Sequence, residues 1–216
     1  MFPLTDETRH PAHFSIVTFI FIALNALAFA LELKNGTGFV LSWSVIPAQI
    51  LAGHGLPTIL TAMFLHASWS HIIGNMIFLW AFGPEIEDTM GPSRYAAFYI
   101  SGGLISMLAQ VAADPTSTVP CLGASGAIAA VMGAFLVTFP RDKIKTVVII
   151  WIFIGVTAIP AALLIGFWFL MQLLSIGAIA HVQSGGVAYM AHVAGMIFGA
   201  LTARLFEGSY RPQAAE

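Results

Sequence analysis

Long apolar stretches separated by short polar ones organise this chain, and their lengths say more than any amphipathic period. A helix that crosses a bilayer needs about 20 mostly apolar residues. The stretches that approach this are Phe14–Leu33, Ile72–Gly83, Tyr95–Ala113, Gly123–Phe139, Pro160–Ile179 and Val187–Phe206. The second is short as written and is predicted to begin near Ser68, which brings Ser70, His71 and Asn75 into it. In the first, Ala26-Leu27-Ala28 resembles a signal-peptide cleavage site. Its apolar run is longer than a signal core, and Asp6 and Glu7 spoil the basic flank. It is read as a retained helix. Thr146–Ile179 would be roughly 50 Å long as one helix, too long for one straight crossing. Its opening part, VVIIWIFI, is rich in β-branched residues and is expected at or near the inner interface, with the crossing starting around Pro160.

Composition agrees with this pattern. The chain has 216 residues, of which 58% are hydrophobic and only 8% charged, and its mean hydropathy is +0.89. Soluble domains carry about 25% charged residues, so the lipid bilayer is the expected surroundings. A net charge of −2 with no basic cluster argues against a nucleic-acid partner. The single cysteine, Cys121, precludes an intrachain disulfide and is read as a small loop residue.

Charge placement sets the expected orientation. With the N-terminus in the cytoplasm, Arg9, Arg94, Arg141, Lys143, Lys145, Arg204 and Arg211 fall inside and only Lys34 outside. The predicted architecture is an all-α membrane protein, a six-transmembrane-helix bundle. It has a short cytoplasmic N-terminus at 1–13, the membrane domain at 14–206 and a cytoplasmic tail at 207–216. The expected location is a cell membrane, plasma or inner. In this topology the second, fourth and sixth spans all enter from outside. His71, Asn75, Ser125 and His192 then lie at one depth, in the outer part of the bilayer.

Ionisable and polar groups at membrane depth are costly and mark function by default. Ser125 sits in Gly123-Ala124-Ser125-Gly126 and His192 in Ala191-His192-Val193-Ala194-Gly195. An aspartyl mechanism needs two membrane carboxylates sharing a proton, and none is expected inside the spans; Asp88, Asp114, Asp142 and Glu207 are read as loops or ends. Zinc would want a pattern such as H-E-x-x-H, which His66 and His71 do not form. An α/β-hydrolase would want G-x-S-x-G among strands, but position 127 is alanine. No metal or cofactor is expected.

What remains is a serine activated by a histidine. Ser125 would attack a carbonyl while His192 takes its proton and later passes it to the leaving amine. In the first turn of its helix, the Ser125 N–H lacks an intrahelical partner and lies at the positive end of the dipole. His71 and Asn75, spaced i, i+4, would add donors around the oxyanion. Plain packing competes with this reading. Ser125, Ala129 and Gly133 form a small-residue stripe, and Gly195-x-x-x-Gly199 is a close-contact pattern. The two readings are compatible, because close packing of the fourth and sixth spans would bring Ser125 to His192.

GASG at 123–126, AHVAG at 191–195 followed by Gly199, and His71-Ile72-Ile73-Gly74-Asn75 together resemble the rhomboid intramembrane serine proteases. His66, the FPR segment at 139–141, GFWFLMQLL at 166–174 and Gly185-Gly186-Val187-Ala188 extend the likeness, which covers roughly Ser42 to Phe206. The resemblance implies Ser125 as nucleophile, His192 as base, Asn75 with His71 around the oxyanion, and a structural role for His66. It also implies a first outer loop, roughly Lys34 to Ala67, that forms a compact element partly sunk in the outer leaflet. Inactive relatives typically lack the serine or histidine, and this chain has both.

Two positions depart from the family pattern. Pro57-Thr58 stands where many members have Trp-Arg, and Ala129 where some have a tyrosine stacked on the histidine. His192 must then be held by other contacts. The glycine-rich stretch His181–Gly186 would suit a cap that lifts to admit substrate. Asn35-Gly36-Thr37 is a glycosylation sequon, meaningful only in a secretory pathway. The expected activity is an endopeptidase cleaving transmembrane segments of other membrane proteins. The alternative is a catalytically silent protein that binds membrane clients in the same groove.

Overall fold

The computed structural model of the protein describes residues 1–150, 153–179 and 188–208. Six long helices form the body: α1 (Ile16–Trp43), α4 (Trp69–Met90), α5 (Pro92–Ala113), α6 (Ser125–Thr138), α7 (Ala161–Ile179) and α8 (Tyr189–Phe206). Two short helices, α2 (Pro47–Leu51) and α3 (Thr58–Thr61), and a 3₁₀ turn at Ala62–Phe64 fill the connection between α1 and α4. The protein is a helical membrane protein. Three helices, α1, α5 and α8, are long and apolar enough to cross a bilayer, and α6 and α7 are apolar but shorter.

Contacts between helix ends show that α1 and α5 start, and α4, α6 and α8 finish, at the same end. At one end, Glu87 of α4 accepts from the first turn of α1. There too, Arg94 of α5 donates to the Glu207 carbonyl beyond α8, and Arg204 of α8 donates to Val137 O of α6. The opposite end is tied by backbone bonds between Val45 and Cys121 and from the Gly123 N–H to Ala62 O.

At the charged end the chain adds a small antiparallel sheet of β1 (Phe2–Asp6), β2 (Lys143–Ile150) and β3 (Phe153–Pro160), in the order β1-β2-β3. The register of β2 and β3 runs from Lys143↔Pro160 to Ile150↔Phe153. The β-branched run from Thr146, expected at the inner interface and apart from the crossing, is strand here, since β-branched residues favour the pleated form. A helix does begin where expected, at Ala161, just after Pro160. Ile144 and Thr146 of β2 are buried while Lys143 and Lys145 are exposed. Residues 1–13 are likewise more than a tail. Asp6 is fully buried, accepts from the Thr8 and Arg9 N–H groups, and lies beside Asp142, which pairs with Arg9 at 3.0 Å. Burial, reinforced by the Asp142 charge, pushes the Asp6 carboxyl up to about 6.

Two further expectations are corrected. Glu32 in α1 and Glu85 and Glu87 in α4 are buried within helices, so the long helices do carry carboxylates. Glu87 explains its own placement, since Ser15 at the start of α1 makes no side-chain cap. The carboxylate accepts instead from the Val17 and Thr18 N–H groups at 2.8 and 2.7 Å and from Thr18 Oγ1 at 2.8 Å. The first helix also continues past Leu33 to Trp43, with a break in helical geometry at Gly36 (φ 72). The sequon asparagine Asn35 therefore lies in helix, bonded to Leu31 O.

Helices α6 and α8 pack almost backbone on backbone. A Cβ at Gly195 would strike the Gly126 carbonyl, and one at Gly199 would strike that of Ala130. This is the small-residue stripe acting as packing, and it sets the spacing of everything built on the two helices.

Candidate active site

Ser125 is the first residue of α6 and His192 the fourth of α8. Each directly precedes, or lies one turn before, the glycines whose backbones meet, Gly126 and Gly195. That packing places His192 Nε2 2.6 Å from Ser125 Oγ. His192 is 8% exposed, whereas Ser125 is half-buried and lines a cavity of about 470 Å³ shared with His71, Asn75, Phe78 and Trp168. A hydroxyl open to a cavity beside a shielded imidazole is an arrangement that suits acyl transfer.

The imidazole is held from its far side by a residue that motif reading missed. Its Nδ1 lies 2.8 Å from Gln172 Oε1 on α7. Trp168, one turn earlier on α7, lies against the ring at a centroid distance of 5.5 Å, and Tyr189 meets it edge-on at 6.3 Å. These contacts occupy the role that the tyrosine absent at Ala129 would otherwise fill. Gln172 fell within the quoted GFWFLMQLL segment. The available signal was a lone amide in an otherwise apolar helix, which demands a partner.

The two residues expected at the oxyanion are placed differently from each other. His71, whose N–H is capped by Ser68 Oγ at 3.2 Å, accepts at Nδ1 from the Ala67 N–H at 3.4 Å. In the neutral ring Nε2 then carries the proton. That edge lies against Gly123: a Cβ there would sit 2.9 Å from His71 Nε2. Gly123 itself has φ +129, a conformation that side chains disfavour. Asn75 lines the same cavity, but its Nδ2 donates to His66 Nε2 at 2.9 Å. One of its two N–H groups is thereby committed, leaving one for an oxyanion. His66 is in turn fixed through its backbone N–H, which donates to Glu32 Oε1 at 3.1 Å and Oε2 at 3.2 Å. Glu32 was also missed; nothing in its local sequence announces a partner more than thirty residues away.

Among the described residues no group of three or more His, Cys, Asp or Glu is arranged to hold a metal. The Cys121 thiol lies in the connection before α6, where burial pushes its pKa up, the wrong direction for a nucleophile. Pro57-Thr58 begins the short helix α3. The stretch His181–Gly186 and the residue Val187, expected as a cap and the start of the last span, lie outside the described residues, as does the tail from 209 onward.

The rhomboid domain description matches residues 53–208. The chain belongs to the rhomboid family. This rhomboid is 27% identical to Rhomboid protein 1, mitochondrial, of Saccharomyces cerevisiae over 206 residues, covering 92% of the chain and 55% of that relative. It is 31% identical to Rhomboid protease GluP of Bacillus subtilis over 123 residues, 55% of the chain and 24% of the relative. It is 36% identical to Presenilin-associated rhomboid-like protein A, mitochondrial, of Danio rerio over 96 residues, 44% of the chain and 25% of the relative. The matched regions span from about a quarter to about half the length of these curated relatives. Two of the three are mitochondrial and one is bacterial, so they lend no support to a plasma-membrane location for this rhomboid.

Proposed function

We propose that this rhomboid is an intramembrane serine endopeptidase that cleaves transmembrane segments of other membrane proteins. The observation that carries the reading is the 2.6 Å approach of Ser125 Oγ to His192 Nε2, at a cavity wall rather than inside a packed core. Ser125 Oγ attacks the scissile carbonyl as its proton passes to His192 Nε2. The oxyanion forms beside the free Ser125 N–H, His71 Nε2 and the uncommitted Asn75 N–H. His192 returns the proton to the leaving amine, and water then hydrolyses the acyl-enzyme with His192 again as base. A substrate helix must unwind locally before this, because its carbonyls are otherwise bonded within the helix.

In this reading the basic end faces the cytoplasm or its equivalent and the cavity opens toward the outer face. Unlike the soluble serine proteases, the base would work without a carboxylate, whose burial at membrane depth is expensive.

Purified protein should label covalently with a fluorophosphonate serine probe and cleave a test transmembrane substrate. Ser125→Ala should abolish both while leaving helix content and thermal midpoint intact, and His192→Ala should do the same. Retained cleavage by purified Ser125→Ala would end the protease reading. Substrate binding without cleavage or labelling by the wild type would favour the client-binding alternative.

A further inference from the structure

The base of the proposed reaction has a keeper on a third helix. Gln172 Oε1 lies 2.8 Å from His192 Nδ1, and Gln172 Nε2 donates to the Trp168 carbonyl of its own helix at 3.3 Å. We propose that Gln172 is a positioning residue that selects the tautomer and orientation of His192. This rests on the Ser125–His192 reading and deepens it.

A side-chain amide has one end that only accepts and one that only donates, so its orientation decides what it offers a neighbour. The Trp168 carbonyl can only accept, which requires the amide nitrogen to face it. The amide oxygen must then face His192, and an oxygen acceptor requires the proton of the neutral ring to sit on Nδ1. That leaves the Nε2 lone pair directed at Ser125, the one arrangement in which the ring can take the serine proton. With the amide reversed, its nitrogen would donate to Nδ1, the ring proton would move to Nε2, and the base would be blocked. A backbone carbonyl of α7 thus determines which nitrogen of α8 serves the nucleophile of α6. Among the described residues no carboxylate bonds the His192 ring. A neutral amide performs the orienting task of the triad aspartate at a smaller desolvation cost in this low-dielectric place.

A glutamine that only fills space beside the ring would let folded Gln172→Leu keep the wild-type kcat, and a carboxylate at 172 shifts the ring's titration only if the Nδ1 contact is made. The test therefore measures kcat, KM and the pH profile of kcat/KM for Gln172→Leu and Gln172→Glu, with Ser125→Ala alongside. Gln172→Leu removes the acceptor and should lower kcat about 10- to 100-fold, with KM changed by no more than about twofold, since wrong-tautomer effects in a triad reach about 10⁴ and ring packing here retains part of the geometry. Gln172→Glu keeps an acceptor of nearly the same shape and adds a carboxylate that stabilises the imidazolium. Its acid limb should move up by about one pH unit, because His192 must lose its proton to act as base. The inference is overturned if folded Gln172→Leu keeps the wild-type kcat, or if the acid limb of Gln172→Glu coincides with that of the wild type, and the second arm stands even where Gln172→Leu fails to fold. Cleavage by Ser125→Ala would instead sink the protease reading itself, so the two failures are distinguishable.

Discussion

Asn75 stands between a structural bond and the proposed oxyanion site. Its Nδ2 bonds His66 at 2.9 Å while the residue lines the Ser125 cavity. Asn75→Ala should therefore produce two effects together. Loss of an oxyanion donor in a soluble serine protease costs about 10²–10³ in kcat; here His71 and the Ser125 N–H remain, and a drop of about tenfold is expected. Loss of the partner for buried His66 should also destabilise the fold by about 1–3 kcal/mol. Measuring kcat per titrated active site and the thermal midpoint on one preparation separates the two. A lowered midpoint with unchanged kcat would remove Asn75 from the site and leave it as a support for His66.

At the level of elements, the end of α4 holds the start of α1. Glu87 satisfies the Val17 and Thr18 N–H groups and the Thr18 hydroxyl, a helix cap supplied from a distant stretch of chain. Glu87→Ala leaves those donors buried without a partner and is expected to cost about 2–4 kcal/mol. Glu87→Gln, which keeps one acceptor oxygen, should cost less. Thermal unfolding in detergent measures both. Equal midpoints for Ala and wild type would mean that water or lipid headgroups cap α1 just as well.

For the whole molecule, the ends of the bundle differ in chemistry. Arg9, Arg94, Arg204 and the β2 lysines gather with Asp6, Asp88, Asp142 and Glu207 at one end, and the Ser125 cavity opens toward the other. If basic residues favour the cytoplasmic side, cysteines placed at the two ends should respond oppositely to a membrane-impermeant maleimide. In a Cys121→Ser background, Lys34→Cys should label from the outer face of intact cells or vesicles, and Lys143→Cys only after permeabilisation. The reverse pattern would turn the Ser125 cavity to the inner face.

The apolar stretches, the glycine spacing and the short motifs determined the helical membrane class, the family likeness and the pairing of Ser125 with His192, because each is set by local composition or by small residues that permit close helix packing. Even the start of α7 after Pro160 followed from a proline and a β-branched run. Tertiary structure alone decided what required distant partners. Gln172 reaches His192 only because α7 lies beside α8, and Glu32 finds the His66 N–H across the fold. Glu87 acts as a cap only because α4 ends where α1 begins. β1 becomes a strand because β2 offers its edge. A sequence lists donors and acceptors one residue at a time; which distant ones meet, and therefore which nitrogen of His192 faces Ser125, is fixed only when the helices pack.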